Sequence, residues 1–142
     1  MASNQKYYHI TVKSTTENLA AIRDFVKDAA VDCGCDNSTI DKVILAVDEA
    51  STNIIKYAYN YRSDKDIEVK VKFDNDNFIV EIIDNGNSFN PANYKEPNLE
   101  KYVKEKRVGG LGIFLIKKCC DEVKYEILKN KTNKVTLLKK IK

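Results

Sequence analysis

The sequence predicts an α+β fold, a two-layer α/β sandwich with a mixed, mainly antiparallel sheet and helices on one face. Three observations lead there. The apolar pattern runs strand, helix, helix, strand, strand, irregular polar stretch, helix, strand, strand. Neighbouring strand patterns are joined by short turn chemistry, which makes hairpins. The two long helical patterns are each apolar along one stripe, so they need a single layer to pack against.

The first strand is residues 6–13, where Tyr8, Ile10 and Val12 alternate with polar neighbours. Leu19, Ile22, Phe25, Val26 and Ala29 then recur at helical spacing, predicting a helix to about Asp32. Ser14 or Thr16 can cap it, and Gly34 stops it. Ser38 is the expected cap of a second long helix, with Asp41 at the third helical position. Its stripe is Ile40, Val43, Ile44, Val47, Ala50 and Ile54, fading near residues 59–61. Ile67, Val69, Val71 and Phe73 form one strand, and Phe78, Val80 and Ile82 form the next. The run DNDN at 74–77 is turn chemistry between them. Residues 87–108 are polar, hold both prolines (Pro91 and Pro97) and lack periodicity. Irregular stretches of that length in a compact domain are often lids. A helix over about 110–120 follows, then strands over 123–128 and 134–141 joined by a turn at 130–133.

A chain of 142 residues fits a single domain, 1–142. At this length a fold buries roughly 70% of the surface of its unfolded chain. Hydrophobic residues make up 43% and charged residues 32%, which describes an ordinary globular protein. The net charge of +3 comes from 24 basic and 21 acidic residues that are interspersed, which argues against direct nucleic-acid binding. The most basic stretch, 134–142, alternates with Val135, Leu137, Leu138 and Ile141 and reads as a strand with a solvated face. No signal pattern and no apolar run of ~18 residues is present, so a cytoplasmic protein with no membrane segment is expected. Cys33, Cys35, Cys119 and Cys120 are spaced CxC and CC, unlike CxxC zinc knuckles, and read as reduced structural thiols.

Three short segments carry the candidate chemistry. In the second helix, Glu49 and Asn53 lie one turn apart on one face, roughly 110–170° from the centre of the apolar stripe. By the same helical step Lys56 lies within about 60° of both. An asparagine oxygen suits a hard cation such as Mg2+, which keeps waters and phosphates as its other ligands. A carboxylate one turn earlier can accept a proton from an incoming hydroxyl or water. The plain alternative is a solvated helix face, which Lys42 and Asn60 share. At the end of the third strand pattern stands Asp84, followed by Asn85 and Gly86. A buried aspartate needs a donor, and an adenine exocyclic amine is one. Gly86 lets a ring approach the backbone. The alternative is an ordinary Asp-Asn-Gly turn. Third, Gly109, Gly110, Leu111 and Gly112 open an apolar helix, where free N–H groups and partial positive charge bind phosphate. Lys106 and Arg107 can add charge. The spacing is neither GxxxxGK nor GxGxxG. The alternative is a flexible hinge before a buried helix.

In order and spacing, with the polar stretch between the last two, these segments resemble the GHKL superfamily of ATP-binding domains. Residues 46–59, AVDEASTNIIKYAY, look like the N box of its anti-sigma factor serine/threonine-protein kinases. Residues 108–116, VGGLGIFLI, look like their last glycine box. The likeness covers about residues 7–140. It implies a Bergerat-type ATP-binding sandwich with residues 87–108 as the ATP lid. Asn53 would ligate Mg2+, Asp84 would read adenine, and Gly86, Gly110 and Gly112 would line the nucleotide. Lys56, Tyr57, Arg107, Gly109 and Leu111 complete the implied ATP-binding set. Glu49 would be the general base that activates a serine of a small anti-anti-sigma (STAS-type) partner. The family also sequesters a sigma factor, usually as a dimer. Two departures stand out. Tyr57 replaces a histidine common in this branch, and no glycine lies between Gly86 and Gly109.

Other readings stay open. A histidine-kinase catalytic module needs a dimerisation helix bearing an acceptor histidine, and the only histidine, His9, falls in a strand. A regulatory module could bind ATP only as a structural ligand while holding its partner, and partner surfaces carry no motif here. A DNA-binding regulator conflicts with the charge balance.

Overall fold

The computed structural model describes residues 5–87 and 111–141. Chain order is β1 (Lys6–Lys13), α1 (Asn18–Asp32), α2 (Asn37–Asn53), a π turn (Ile54–Ala58), β2 (Asp66–Asp74), β3 (Asn77–Asp84), α3 (Leu111–Cys119), β4 (Glu122–Ile127) and β5 (Asn133–Lys140). The strands form one sheet in the order β1-β2-β3-β5-β4. All four pairings are antiparallel, so the parallel component expected of a mixed sheet is not found among the described residues. The α+β sandwich itself is as the sequence predicts.

Period-two alternation sets the inner face of the sheet. Tyr8, Val71, Val80, Leu137 and Val123 form one row across all the strands, and Ile10, Val69, Ile82, Val135 and Tyr125 form the next. The helices bring Ile22, Val26, Val43, Val47, Ile54 and Ile116 onto these rows. The outer face carries charge. Glu81 there is held by Lys72 at 3.3 Å and Lys134 at 3.4 Å, and His9 meets Glu68 at 2.7 Å. Asn75 and Asp76, both at positive φ, make the two-residue turn between β2 and β3.

Helix ends differ from the sequence expectation at their starts. Neither Ser14 nor Thr16 caps α1. Ser14 is buried, and its hydroxyl donates to the Arg62 carbonyl and accepts the Lys65 N–H at 3.2 Å. The Thr15 hydroxyl takes the Asn18 N–H at 3.3 Å instead. Asp36, not Ser38, caps α2 by accepting the Thr39 N–H at 2.8 Å. A charged acceptor two residues earlier draws the helix start back with it. Gly34 does end α1. At φ +83° it lets its own N–H reach the Val31 carbonyl and the Cys35 N–H reach the Ala30 carbonyl. All four cysteines are unbridged. Burial pushes the Cys35 thiol up to about 11 and the Cys120 thiol up to about 12, which keeps them protonated.

Candidate functional site

The site is built at one end of the inner face, where α2 finishes above the end of β3. Glu49 and Asn53 lie one turn apart on α2, both half-buried. Neither side chain makes a hydrogen bond or ion pair with another described residue. Directly after Asn53 the helix widens. The Tyr59 N–H bonds the Ile54 carbonyl at 2.9 Å, an i→i+5 turn. The wider turn returns Tyr59 over the face of Ile54, so that Ile54, Ile55 and Tyr59 are all buried. The helical step that grouped Lys56 with Glu49 and Asn53 therefore ends at Asn53. Lys56 sits inside the π turn, half-buried, and Tyr57 beside it is 56% exposed. The turn closes with Asn60 and Tyr61 at positive φ.

Strand alternation carries Asp84 onto the inner face, two residues beyond Ile82. It is 6% exposed. One carboxylate oxygen, Oδ1, accepts both the Gly86 N–H at 2.9 Å and the Asn133 Nδ2 at 3.0 Å. Among the described residues no donor meets Oδ2. Burial is the main cause that lifts the Asp84 carboxyl above its ordinary 3.8, and the two donors pull the other way. A carboxylate fixed through one oxygen, with the other unmet, fits a ligand that presents an amine.

Gly86 has a reason the sequence reading missed. A Cβ built there would lie 2.3 Å from the Ala58 carbonyl oxygen and 2.8 Å from Tyr59 Cδ1. The glycine thus makes room for the π turn of its own chain. The next residue, Asn87, donates its N–H to the same Ala58 carbonyl at 2.8 Å. Tyr59 completes the join. Its hydroxyl accepts the Asn85 N–H at 3.0 Å and lies 2.6 Å from the Asp66 carbonyl and 2.9 Å from Asn85 Oδ1.

The structure thus brings Glu49, Asn53, Lys56 and Tyr57 onto one helix end, which Gly86 and Asn87 join to Asp84. Leu111 and Gly112 open α3, which packs on α2. Lys106, Arg107, Gly109, Gly110 and the expected lid from residue 88 onward lie outside the described residues. Asn133, Tyr59 and Ala58 escaped the sequence reading. Asn133 meets Asp84 across 49 positions of chain, and only the β3–β5 register reveals the pair. The cue for Tyr59 was two adjacent buried positions, Ile54 and Ile55, followed by a tyrosine. Among the described residues no three His, Cys, Asp or Glu side chains gather as a metal cluster. A cation at Asn53 would therefore take most of its ligands from phosphate and water, as Mg2+ does.

Comparison with known proteins finds relatives along most of the chain. A model of the histidine kinase-like ATPase domain matches residues 12–139. The serine-protein kinase RsbW of Oceanobacillus iheyensis is 30% identical over 126 residues, covering 86% of this chain and 80% of the relative. RsbW of Bacillus subtilis is 31% identical over 133 residues, covering 89% and 81%. Among solved structures, the RsbU and RsbW domains of a Mycobacterium tuberculosis protein match with a TM-score of 0.68 at 18% identity, over 96% of this chain and 32% of that one. The SiaB–SiaC complex from Pseudomonas aeruginosa matches with a TM-score of 0.70 at 15% identity, over 92% and 88%. At those identities the two structures share the fold. Because the family model matches residues 12–139, nearly the whole chain, the chain belongs to the histidine kinase-like ATPase domain family.

Proposed function

We propose that this chain is an ATP-dependent protein-serine kinase and anti-sigma factor, a single domain over residues 1–142 with 87–108 as its ATP lid. Its substrate in this reading is a small STAS-type anti-anti-sigma protein, and its second partner is a sigma factor. It acts as a homodimer in the cytoplasm. The relatives named serine-protein kinase support the activity. The observation that carries it is Glu49, a half-buried carboxylate without a described partner, one turn before Asn53.

In this mechanism Asp84 accepts the adenine amine through Oδ2. The opening of α3, with Gly109, Gly110, Leu111 and Gly112, takes the phosphates on backbone N–H groups. Lys56 and Arg107 add positive charge, and Tyr57 flanks the nucleotide. Asn53 offers its amide oxygen to Mg2+, whose charge offsets that of the phosphates. Glu49 accepts the proton of the partner's serine as its oxygen attacks the γ-phosphorus. The bond to the β-γ bridging oxygen breaks, and ADP leaves with that electron pair. Most of the acceleration comes from positioning and charge neutralisation.

The test is transfer of labelled phosphate from ATP to candidate partner proteins, beside direct ATP binding. Glu49→Ala is expected to abolish transfer while ATP still binds. Equal loss of both would remove Glu49 as a specific base. Tight ATP binding with no transfer to any cognate partner would leave a module that sequesters its partner without kinase activity.

A further inference from the structure

We infer that Tyr59 is a positioning residue for base recognition: its buried hydroxyl, with the Ala58 carbonyl, locks the strand end carrying Asp84 to the helix end carrying Asn53. The inference rests on the reading that Asp84 receives the adenine amine.

A nucleotide that touches Asp84 with its base and Asn53 through its metal spans two elements of independent origin. One is the C-terminal end of β3 and the other is the C-terminal end of α2. Sheet pairing fixes β3, and core packing fixes α2, but neither sets the offset between their ends. The described joins between these ends converge on two consecutive residues. Ala58 accepts the Asn87 N–H at 2.8 Å and fills the space beside Gly86, where a Cβ would come within 2.3 Å of its oxygen. Tyr59, 3% exposed, receives the Asn85 N–H at 3.0 Å.

The hydroxyl has one proton to give and two acceptors, the Asp66 carbonyl at 2.6 Å and Asn85 Oδ1 at 2.9 Å. It therefore joins three elements at one atom: the π turn, the first residue of β2 and the residue after Asp84. Burial holds the phenol above its ordinary range, so it remains a donor at neutral pH.

The π turn is what makes this contact possible. In a continuing α-helix each residue advances about 100°, and Tyr59 would turn off the inner face. The i→i+5 bond from the Tyr59 N–H to the Ile54 carbonyl brings it back beneath the strand end. Asn85 and Gly86 are in turn held from the π-turn side, while Asn133 holds Asp84 from the β5 side. The carboxylate is thus clamped from two directions with Oδ2 left for the base.

The experiment compares ATP with inosine triphosphate, which lacks the exocyclic amine, on the full chain and on Tyr59→Phe. Phenylalanine keeps the ring and removes the hydroxyl. Wild type is expected to prefer ATP, and Tyr59→Phe to lose about tenfold of that preference, the weight of one misplaced buried hydrogen bond. The factor by which Mg2+ strengthens inosine triphosphate binding is expected to stay unchanged, which a general loss of structure would not allow. Amide exchange at Asn85 is expected to speed up in the variant. If Tyr59→Phe does not fold, Gly86→Ala decides, because its Cβ must push the strand end off Ala58 and lower the same preference. A wild type that prefers ATP beside a folded variant that prefers it equally overturns the inference alone. A wild type indifferent to the amine overturns the reading of Asp84, and the inference with it.

Discussion

Asn133 holds Asp84 by a single oxygen: its Nδ2 lies 3.0 Å from Oδ1, the same atom that accepts the Gly86 N–H. The same Nδ2 also lies 3.1 Å from the Gly86 carbonyl, so one side chain braces the carboxylate and the turn after it. Asn133→Ala removes the side-chain donor from a carboxylate that is nearly inaccessible. The expected cost is about 1–3 kcal/mol of folding stability, with weaker ATP binding. Urea unfolding and calorimetric titration measure the two, and a variant as stable as wild type would show that Asn133 is not a brace.

Asp84 also makes stability depend on pH. Its folded carboxyl titrates above the ordinary 3.8, chiefly through burial. The native state therefore holds this proton more tightly than the unfolded chain does. Its contribution to stability is fully present below 3.8 and is lost as pH rises through the folded value. Asp84→Asn removes the titration. The variant is expected to gain on wild type as pH rises through that window, and then to keep a constant advantage. Unfolding curves at several pH values check this, and a difference that does not vary with pH would contradict the burial account.

Asn53→Ala should separate metal from base. ATP affinity measured with and without Mg2+ is expected to show the benefit of Mg2+ reduced by about tenfold, the effect of losing one neutral ligand among several. Affinity without Mg2+ should hardly change. An undiminished benefit would take Asn53 out of the cation's surroundings.

Ser51 offers a test of the core rather than of the site. It is fully buried on α2, and its hydroxyl has no hydrogen-bond partner among the described residues. Ser51→Ala leaves the helix a better former and removes an unpaired polar atom, so a gain of about 1 kcal/mol is expected. A clear loss in thermal or urea unfolding would mean that the hydroxyl has a partner after all.

Much of this molecule was legible in local pattern. β1 was read to its ends, 6–13, because strict alternation over a solvated face leaves little freedom. The β2–β3 hairpin followed from DNDN, since two positive-φ positions accept only a few residue types. Asp84 was read as a buried strand-end carboxylate, and Glu49 and Asn53 as neighbours one turn apart, from the 2.0 and 3.6 periods alone. Helix starts were less legible. Ser14, Thr15, Thr16, Asp36 and Ser38 all have capping side chains, and only the path of the chain chooses among them.

By itself, then, the sequence determined the elements, their inner faces and the candidates Glu49, Asn53, Asp84 and the glycines, because each depends on residues within a few positions. The tertiary structure decided how those candidates are held. The Asn133 brace needed the β3–β5 register. The purpose of Gly86 needed the approach of Ala58, 28 positions away and on another element. The π turn needed Ile54, Ile55 and Tyr59 to share one core. Each is a contact between segments with no common period, so no local pattern could carry it.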